Sequence, residues 1–437
     1  MNMSKLLVTL GFVFLTAYGF SQDTLTISKS DLRQKLADKN LQLQIARKNY
    51  ESAKADYLQS NALFLPNISL SYTGMATTNP LMAFGSKLNQ EILTQSDFNP
   101  ALLNDPKTTQ NFATKIEIQQ PLFNMDGIFG RQAAKAKMEA FQLQTQRTEE
   151  YLALEVSKAY MQLQLAYKAL NVLEKAESTA KANLKLVENY FKQGLLQKTD
   201  VLNVQVRVND ITNQRQYAKS NVQNASDYLA FLINEDGQGK TFKPSEALDN
   251  TIKVEVADWQ FSDNRKDLQA MQKSSEAYKK ILTMSKMGFL PRLNAFGSYE
   301  LYDSQFLGTA AKGYLVGAQL SWHVFDGYKS IGKYDKAKAD FQKASLEKEQ
   351  YKKQSQLEFN KTNRQLKDAE NKVSLSQLAF EQAQEAYRIR QNRFAQGLEK
   401  TTDLLVSETQ MIQKELEHLQ AVFEYQFTQE YLQFLSR

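Results

Sequence analysis

Few residues in this sequence belong to the types that carry enzyme chemistry. It has no cysteine and only two histidines, His323 and His418, so neither a thiolate metal site nor a multi-histidine metal centre can form. It also lacks a complete phosphate-binding loop ending in Lys-Ser or Lys-Thr, a His-Glu-x-x-His pair and a Gly-x-Ser-x-Gly turn. One histidine in each region lacks the partners that a catalytic site requires, so we assign both a structural role. We predict a protein that is not an enzyme and uses no cofactor or metal.

The charged residues indicate solvated helices rather than a nucleic-acid binding surface. The 54 lysines and arginines face 48 aspartates and glutamates, which gives a formal net charge of +6. The two signs are mostly interleaved along the sequence, whereas a nucleic-acid binder clusters its basic residues on one element. We therefore expect no nucleic-acid partner.

The first residues have the pattern of a secretory signal peptide. Lys5 precedes an apolar run over residues 6–17, and Gly19 and Ser21 provide the small residues of a cleavage site before Gln22. The run is far shorter than the ~20 residues of a spanning helix, and no cysteine offers a lipidation site. We predict that residues 1–21 are removed and that the exported protein is not lipidated. Because no later run reaches spanning length, only a closed β-barrel would place it in a membrane.

The sequence is an internal duplication. The segment Phe394–Leu398 (Phe-Ala-Gln-Gly-Leu) lies 203 residues after Phe191–Leu195 (Phe-Lys-Gln-Gly-Leu), and Tyr431–Leu435 follows Tyr228–Leu232 at the same offset. Further upstream, the Phe-Leu-Pro of residues 64–66 recurs at residues 289–291. Each repeat is predicted to contain a helix, a β-hairpin, a long helix, a glycine turn and a second long helix.

The duplication defines the domain organisation. The first repeat spans 22–234, with a β-hairpin at about 67–120 and a long helical hairpin at 127–234. The second repeat spans 262–437, with a β-hairpin at about 292–323 and a helical hairpin at 327–436. Residues 235–261 have no counterpart and join the repeats, and Gly237, Gly239 and Pro244 mark the beginning of this connector as non-helical.

After Gly127 the spacing of apolar and small residues is helical for about 65 residues. They step mostly by four and three, which is typical of coiled-coil packing: Leu152, Val156, Ala159, Leu163, Ala166, Leu170, Leu173, Ala176, Ala180, Leu184, Val187 and Phe191. At 1.5 Å per residue such a helix would be ~100 Å long. A small globular core does not need this length, but a conduit across a wide compartment does.

The two glycine turns share a further pattern. Gly194 and Gly397 are predicted to end their helices in the left-handed conformation. Thr199 or Asp200 is expected to cap the next helix, and Thr402 and Asp403 repeat that pair. Ordinary turn chemistry explains the glycines and aspartates, but it does not explain why Leu195 and Leu398 follow the glycines at exposed tips.

Four segments alternate between apolar and polar residues, as transmembrane barrel strands do. They centre on residues 67–72, 112–119, 292–301 and 314–322, with Phe296 and Leu315 as exceptions. From Tyr314 to Trp322 is ~26 Å along a strand. We predict a membrane aromatic girdle formed by Tyr72, Tyr299, Tyr314 and Trp322. The alternative is the edge of a soluble sandwich, which alternates in the same way.

Four strands cannot close a barrel, since the smallest membrane barrels have eight. Several chains would have to share one barrel. Two copies would give eight strands and an interior filled with side chains, whereas three would give twelve strands and leave a lumen. Residues 78–110 of the first hairpin form an unusually long connection, which is typical of a functional or disordered loop.

In combination, these motifs resemble the TolC-like outer-membrane factor family over essentially the whole mature chain. The resemblance rests on several elements: the two Phe-Leu-Pro junctions, Phe325-Asp326-Gly327 before a helix, Asn264–Leu268 at a helix start, and the duplicated tips Phe191–Leu202 and Phe394–Leu405. It implies a mainly α fold with a transmembrane β part. In a homotrimer, four strands per chain would form a shared twelve-stranded barrel on an α-helical coiled-coil tunnel, with residues 235–261 as an equatorial connector.

The resemblance also implies partners and site residues. The protein would be the passive exit duct of a tripartite efflux pump or type I secretion system in the outer membrane. Its partners would be a periplasmic adaptor (membrane fusion protein) and, through it, an inner-membrane transporter. The expected adaptor-contacting residues are Gly194, Leu195, Thr199, Gly397, Leu398 and Thr402. Candidates for a periplasmic gate are Glu381, Glu385, Tyr387 and Arg388, although ion pairs on a solvated helix surface explain such charges equally well.

Two alternatives remain from the residues themselves. The first is a soluble periplasmic coiled-coil scaffold, which has no reason to keep aromatic residues at the ends of alternating strands. The second is an uptake porin, which has no need of helices ~100 Å long.

Overall fold

The computed structural model describes residues 23–237, 240–248 and 259–437. The predicted signal peptide, residues 1–21, lies outside them, and so does part of the predicted connector. The helices are α1 (Lys29–Lys39), α2 (Leu41–Gln59), α3 (Pro80–Asn89), α4 (Pro100–Asn104), α5 (Met125–Lys192), α6 (Lys198–Leu232), α7 (Lys266–Met287), α8 (Lys329–Ala395) and α9 (Thr401–Ser436). The strands are β1 (Asp23–Ile27), β2 (Asn67–Thr77), β3 (Thr109–Phe123), β4 (Lys240–Pro244), β5 (Arg292–Asp303) and β6 (Ala311–Ser321).

The order of elements repeats, as the duplication predicts. A helix (α2 or α7) leads into an antiparallel pair of strands (β2–β3 or β5–β6), which is followed by two long helices (α5–α6 or α8–α9). The mainly α fold class with four hairpin strands is confirmed. The compact units do not coincide with the repeats. One contains residues 47–144 and 267–351 and holds the hairpin strands, and the other contains the remaining described residues.

The seam predicted along α5 is buried over most of its length. Leu152, Val156, Ala159 and Leu163 lie in a cluster with residues of α1, α2 and α6. Further along, Leu173, Ala176 and Ala180 pack with residues of α6 and α9. The last predicted seam residue, Phe191, is instead exposed, because the helix is about to end and Val187 already completes the core.

The start of α5 differs from the prediction. We expected the helix after Gly127, but it begins at Met125, because Asn124 occupies the cap position and its Oδ1 accepts a hydrogen bond from the Gly127 backbone N at 3.4 Å. Gly127 is therefore inside the first turn. A Cβ there would lie 2.5 Å from a methyl carbon of Leu63, so glycine is needed for close packing rather than for a turn.

The four hairpin strands form one antiparallel sheet in the order β2-β3-β5-β6. Leu70 pairs with Ile116, Ile116 with Tyr299, and Tyr299 with Tyr314, so one row of apolar side chains crosses the sheet on one face. We call this the apolar face. The opposite, polar face carries Lys115, which lies 3.0 Å from Glu117 and 3.5 Å from Glu300.

Two glycines explain departures from alternation within the sheet. The ring of Phe296 stands on the polar face directly over Gly317, where a Cβ would come within 2.7 Å of the ring. Phe112 covers Gly74 in the same way on the apolar face. A strand glycine thus makes room for a cross-strand aromatic ring, which packs as part of the sheet.

Two features were not predicted. Residues 78–108 are folded into α3, a 3-10 helix at Gln95–Phe98, and α4, rather than forming an open loop. In addition, β1 and β4 form a short parallel sheet, which packs on α5 and α6 through the buried Ile27 and Phe242. In the described part of the chain, no helix combines the length and the apolar character needed to cross a membrane.

Candidate functional site

The two glycine turns have the same geometry. Gly194 and Gly397 both adopt a φ of +74°. The backbone N–H of Leu195 donates to the Tyr190 carbonyl, and that of Leu398 donates to the Arg393 carbonyl, each at 2.9 Å. The N–H of each glycine donates to the carbonyl of the residue that follows this acceptor, which completes a Schellman motif in each turn. The left-handed helix ends predicted at both glycines are therefore present.

The helices after the turns begin differently from the expectation. Neither Thr199 nor Asp200 is the cap residue of α6; Gln197 holds that position, and Asp200 Oδ2 accepts its backbone N–H at 3.0 Å. In the second repeat the residue before α9 is Lys400, without a side-chain cap. The exposed Thr199 and Thr402 lie in the first turns of α6 and α9.

A shared core joins the two tips. It contains Val187, Val201 and Val204 from the first repeat and Tyr387, Phe394 and Leu404 from the second. The hydroxyl of Tyr190 donates to the Ala395 carbonyl at 3.1 Å. We call this core and the two turns the tip cluster. The tip cluster holds the loops in one arrangement.

The two tip leucines remain outside this core. Leu195 is 67% exposed and Leu398 is 62% exposed. On the second tip, the Glu399 carboxylate pairs with Arg390 at 3.1 Å and with Arg393 at 2.8 Å, which fixes the turn beside Leu398. Each tip thus presents an exposed leucine beside a turn that is held by packing and hydrogen bonds.

The candidate gate residues do not share one environment. Glu385 and Arg388 form an exposed bidentate ion pair, with both contacts at 2.7 Å. Glu381 is also exposed and accepts from Gln377 at 2.6 Å. Tyr387, in contrast, is buried in the tip cluster, where Asn183 Nδ2 lies 3.5 Å from its hydroxyl. Tyr387 is therefore a core residue of this chain, because the helix turns its ring towards α5.

Sequence reasoning missed a buried carboxylate close to the tip cluster. Glu408 on α9 is 1% exposed, and both its oxygens lack a hydrogen-bond donor. The nearest cation is Arg207 on α6, whose Nε lies 3.9 Å away. Leu404 and Ile412, one turn before and after it, are both core residues. A glutamate four residues from an apolar residue on either side was the signal available in the sequence.

Burial raises the pKa of Glu408 from 4.5 to about 7, and Arg207 only partly opposes this shift. A second buried carboxylate, Glu177, has a pKa that is shifted in the opposite direction. It accepts from Thr212 at 3.0 Å and contacts Lys181 at 2.9 Å and Arg215 at 3.0 Å. These partners, Lys181 foremost, lower the pKa of Glu177.

The two histidines lie in different environments. His418 is buried on α9, where its Nδ1 lies 3.2 Å from Ser376 Oγ, and burial lowers its pKa. His323 is exposed just after β6. Among the described residues, no group of three or more His, Cys, Asp or Glu side chains could hold a metal ion.

One motif resembles a phosphate loop in its spacing alone. Gly327, Gly332 and Lys333 have the Gly-x-x-x-x-Gly-Lys spacing, but Tyr334 stands where a serine or threonine would bind magnesium. The α8 helix already begins at Lys329, so no extended loop remains to surround a phosphate. The Asp326 carboxylate also accepts from the Ser330 N–H at 3.2 Å and occupies the helix N-terminus.

The apolar face of the sheet is open to its surroundings in the single chain. Its exposed side chains include Ile68, Leu70, Ile116, Ile118, Tyr299, Tyr314, Val316 and Leu320. Tyr314, at 79%, is the most exposed. Seven residues separate Tyr314 from the end of β6 at Ser321, which is ~24 Å of strand. Tilted by about 40°, as barrel strands are, this length covers roughly 18 Å of the ~25 Å apolar band of an outer-membrane protein.

The predicted girdle residues occupy both ends of this face. Tyr299 lies opposite Tyr314 in adjacent strands, and Tyr72 lies one row further towards the end of the sheet at Thr77. Trp322 follows β6 at the other end, where its Nε1–H donates to the Phe289 carbonyl at 3.0 Å.

Further aromatic residues lie beside the predicted girdle residues, and the sequence analysis did not assign them to the girdle. Phe112 and Phe306 pack against Tyr72, with ring centroids 6.2 and 5.6 Å away. At the other end, the exposed Phe325 and Tyr328 pack against each other. All but Phe112 lie in connections, where alternation gives no signal.

The chain thus combines a four-stranded sheet that has an apolar exposed face with long helical hairpins. The sequence matches the outer membrane efflux protein family over residues 32–235 and 260–436. The chain belongs to this family, whose members are transport conduits and not enzymes, and it is an outer-membrane efflux channel protein. None of the curated proteins searched matches the sequence.

Solved structures show the same fold. The outer membrane protein VceC of Vibrio cholerae is 15% identical, with a TM-score of 0.78 over 93% of this chain and 96% of that one. The CmeC outer membrane channel of Campylobacter jejuni is 14% identical, with a TM-score of 0.78 over 93% and 85%. The open-state MtrE outer membrane channel of Neisseria gonorrhoeae is 15% identical, with a TM-score of 0.77 over 93% and 88%.

The opposite pKa shifts of the two buried glutamates predict opposite effects of the same substitution. Folded Glu408 keeps its proton up to about pH 7, whereas the unfolded chain releases it near 4.5. Its contribution to stability therefore falls by about 3 kcal/mol as pH rises through this interval. Glu408→Gln should be more stable than the wild type at pH ~8 and should lose this slope.

Glu177→Gln is the matched control and should be less stable than the wild type at pH ~8, because Glu177 stabilises the fold in its ionised form. Thermal unfolding at a series of pH values measures both differences. An unchanged pH slope in Glu408→Gln would show that Glu408 is hydrated and not isolated.

Proposed function

We propose that this protein is the passive exit duct of a tripartite efflux pump or type I secretion system. Three copies would close one twelve-stranded barrel in the outer membrane, with their helices forming a tunnel in the periplasm. The observation that carries the proposal is the sheet. In the described part of the chain, β2 and β6 each have one unpaired edge, and the apolar face lacks a cover.

The unpaired edges favour sharing of strands between copies. Unpaired N–H and C=O groups cannot be left in lipid, so β6 of one copy must pair with β2 of the next. The polar face, with Lys115, Glu117 and Glu300, then lines a wet interior, while the apolar face meets lipid. Three copies leave a lumen for cargo, whereas two give an interior filled with side chains.

The tips support an adaptor-binding role. Leu195 and Leu398 are large apolar side chains on two rigid turns, which the tip cluster joins into one surface. Exposed apolar residues on an ordered support are typical of a protein-interaction site. We propose that they contact a periplasmic adaptor that connects to an inner-membrane transporter, with Gly194, Gly397, Thr199 and Thr402 around them.

The double variant Leu195→Asp and Leu398→Asp tests this role. It should weaken adaptor binding at least tenfold, because two charges would enter the apolar centre of the interface. Gln193→Asp with Gln396→Asp is the matched control, since it adds the same charges to exposed residues of the same turns. Co-purification with the adaptor and export from cells measure the effect. If the leucine double variant bound the adaptor as well as the control does, the leucines would not be part of the interface.

We propose that Glu385 and Arg388 border the narrow periplasmic end of the tunnel. Their ion pair is exposed on α8 close to the second tip, and the Arg388 guanidinium lowers the pKa of the Glu385 carboxyl. Their neighbour Tyr387 holds the helix to the tip cluster from the other side.

Glu385→Ala should reduce the cation selectivity of single channels in planar bilayers, because it leaves Arg388 without its counter-charge. Arg388→Ala should shift selectivity in the opposite direction. Conductance and selectivity unchanged in both variants would place this ion pair on the outer surface of the tunnel. A wild-type protein that conducts no current would contradict the channel itself.

A further inference from the structure

The folded insertion of the first hairpin lies at the end of the sheet away from the flanking helices. β2 begins next to α2 and ends at Thr77, and β3 begins at Thr109 and ends next to α5. Residues 78–108 therefore connect the strands at the opposite end, together with the connection from β5 to β6. In a barrel whose helices enter the periplasm, this end is the outer mouth.

Helix α3 of this insertion rests on the polar face of the sheet. The helix contacts β3 and β6, and its buried residues are Ala83, Ser86 and the adjoining Gln90. Gln90 Nε2 donates to the Gln110 carbonyl and to Asn111 Oδ1, both at 2.8 Å. Asn111 lies four residues from Lys115 on the same strand and therefore on the same face.

Further contacts hold the insertion together. Lys87 on α3 pairs with Asp97 at 2.8 Å, and the ring of Phe84 packs edge-on against that of Phe98 at 5.6 Å. Lys87 and the Thr94 cap together lower the pKa of Asp97 to about 2. These contacts make α3 part of a folded unit and fix which side of the helix faces away from the sheet.

The free side of α3 is apolar. Leu81 is 81% exposed and Leu88 is 56% exposed, and their spacing of seven residues places them on one face. Gly85 lies between them, with open space around its Cα. Two leucines with a glycine between them can admit a second helix closely. No other part of the described chain covers them.

The size of the proposed barrel brings three such helices together. Twelve strands spaced about 4.8 Å apart and tilted by about 40° enclose a circle of roughly 12 Å radius. A helix is about 10 Å wide, so one that rests on the inner wall extends most of the way to the axis. Three of them must meet at the centre, with their free sides towards each other.

We propose that α3 from three copies forms an apolar constriction at the outer mouth of the channel, with Leu81 and Leu88 meeting at the axis. This inference rests on the proposed trimeric duct. An apolar constriction hinders the passage of ions and hydrated solutes because it excludes water, so the wild type should conduct only weakly. It makes α3 a filter for cargo, and a cargo larger than a small solute must displace α3 from the polar face to leave the channel.

The test uses the absence of cysteine from the sequence. Leu88→Cys in the detergent-extracted trimer should form a disulfide between two copies on mild oxidation, which appears as a covalent dimer on a denaturing gel. Leu320→Cys is the matched control. It is 67% exposed but lies on the opposite, apolar face of the sheet, so its copies cannot meet across the lumen.

Conductance provides an independent readout. Leu81→Ser with Leu88→Ser should raise single-channel conductance severalfold, because a polar constriction stays hydrated. A trimer that conducts, forms no Leu88→Cys dimer and keeps its conductance in the double serine variant would overturn the constriction while leaving the duct intact. A protein that is monomeric or never conducts would instead overturn the proposed function, and the constriction with it.

Discussion

The unpaired edges of β2 and β6 impose the constraint on which the structure depends. A sheet of four strands leaves backbone N–H and C=O groups free along both edges, and its apolar face is exposed in the single chain. No single solvent suits both the edges and the apolar face. Lipid cannot form hydrogen bonds with the free backbone groups at the edges, and contact of water with the apolar face is unfavourable. The proposed strand pairing between copies would resolve both problems, since it would remove the edges and allow lipid to cover the apolar face. It would also give the polar face an enclosed interior.

The helical unit meets a different requirement. Its seam uses many small residues, such as Ala159, Ala176 and Ala180, so neighbouring helices pack closely. The two tips are joined by an apolar core at the end of long helices. Glu408 is the exception within this packing. Its carboxylate lies between two core residues of α9 without a hydrogen-bond donor, and burial raises its pKa, whereas the partners of Glu177 stabilise that carboxylate in its ionised form.

The periodic spacing of apolar residues and the internal duplication of the sequence made most of the fold predictable. The heptad-like seam, the alternation of the strands and the offset between the repeats identified the helices, the hairpins and their order. The left-handed glycines followed from local backbone chemistry alone. Sequence could not locate Tyr387, because a helix position near a tip is core or surface according to which neighbour packs there. It also missed α3 on the polar face. The cap residues Asn79-Pro80 were visible in the sequence, but the contact of α3 with Asn111 depends on the tertiary fold.

The most direct test of this account is the native mass of the protein extracted by detergent from an outer-membrane fraction, measured with the bound detergent subtracted. The account predicts a mass of three mature chains, because three copies are needed to pair every strand edge around a lumen. A monomer, or recovery in the soluble periplasmic fraction without detergent, would contradict the shared barrel.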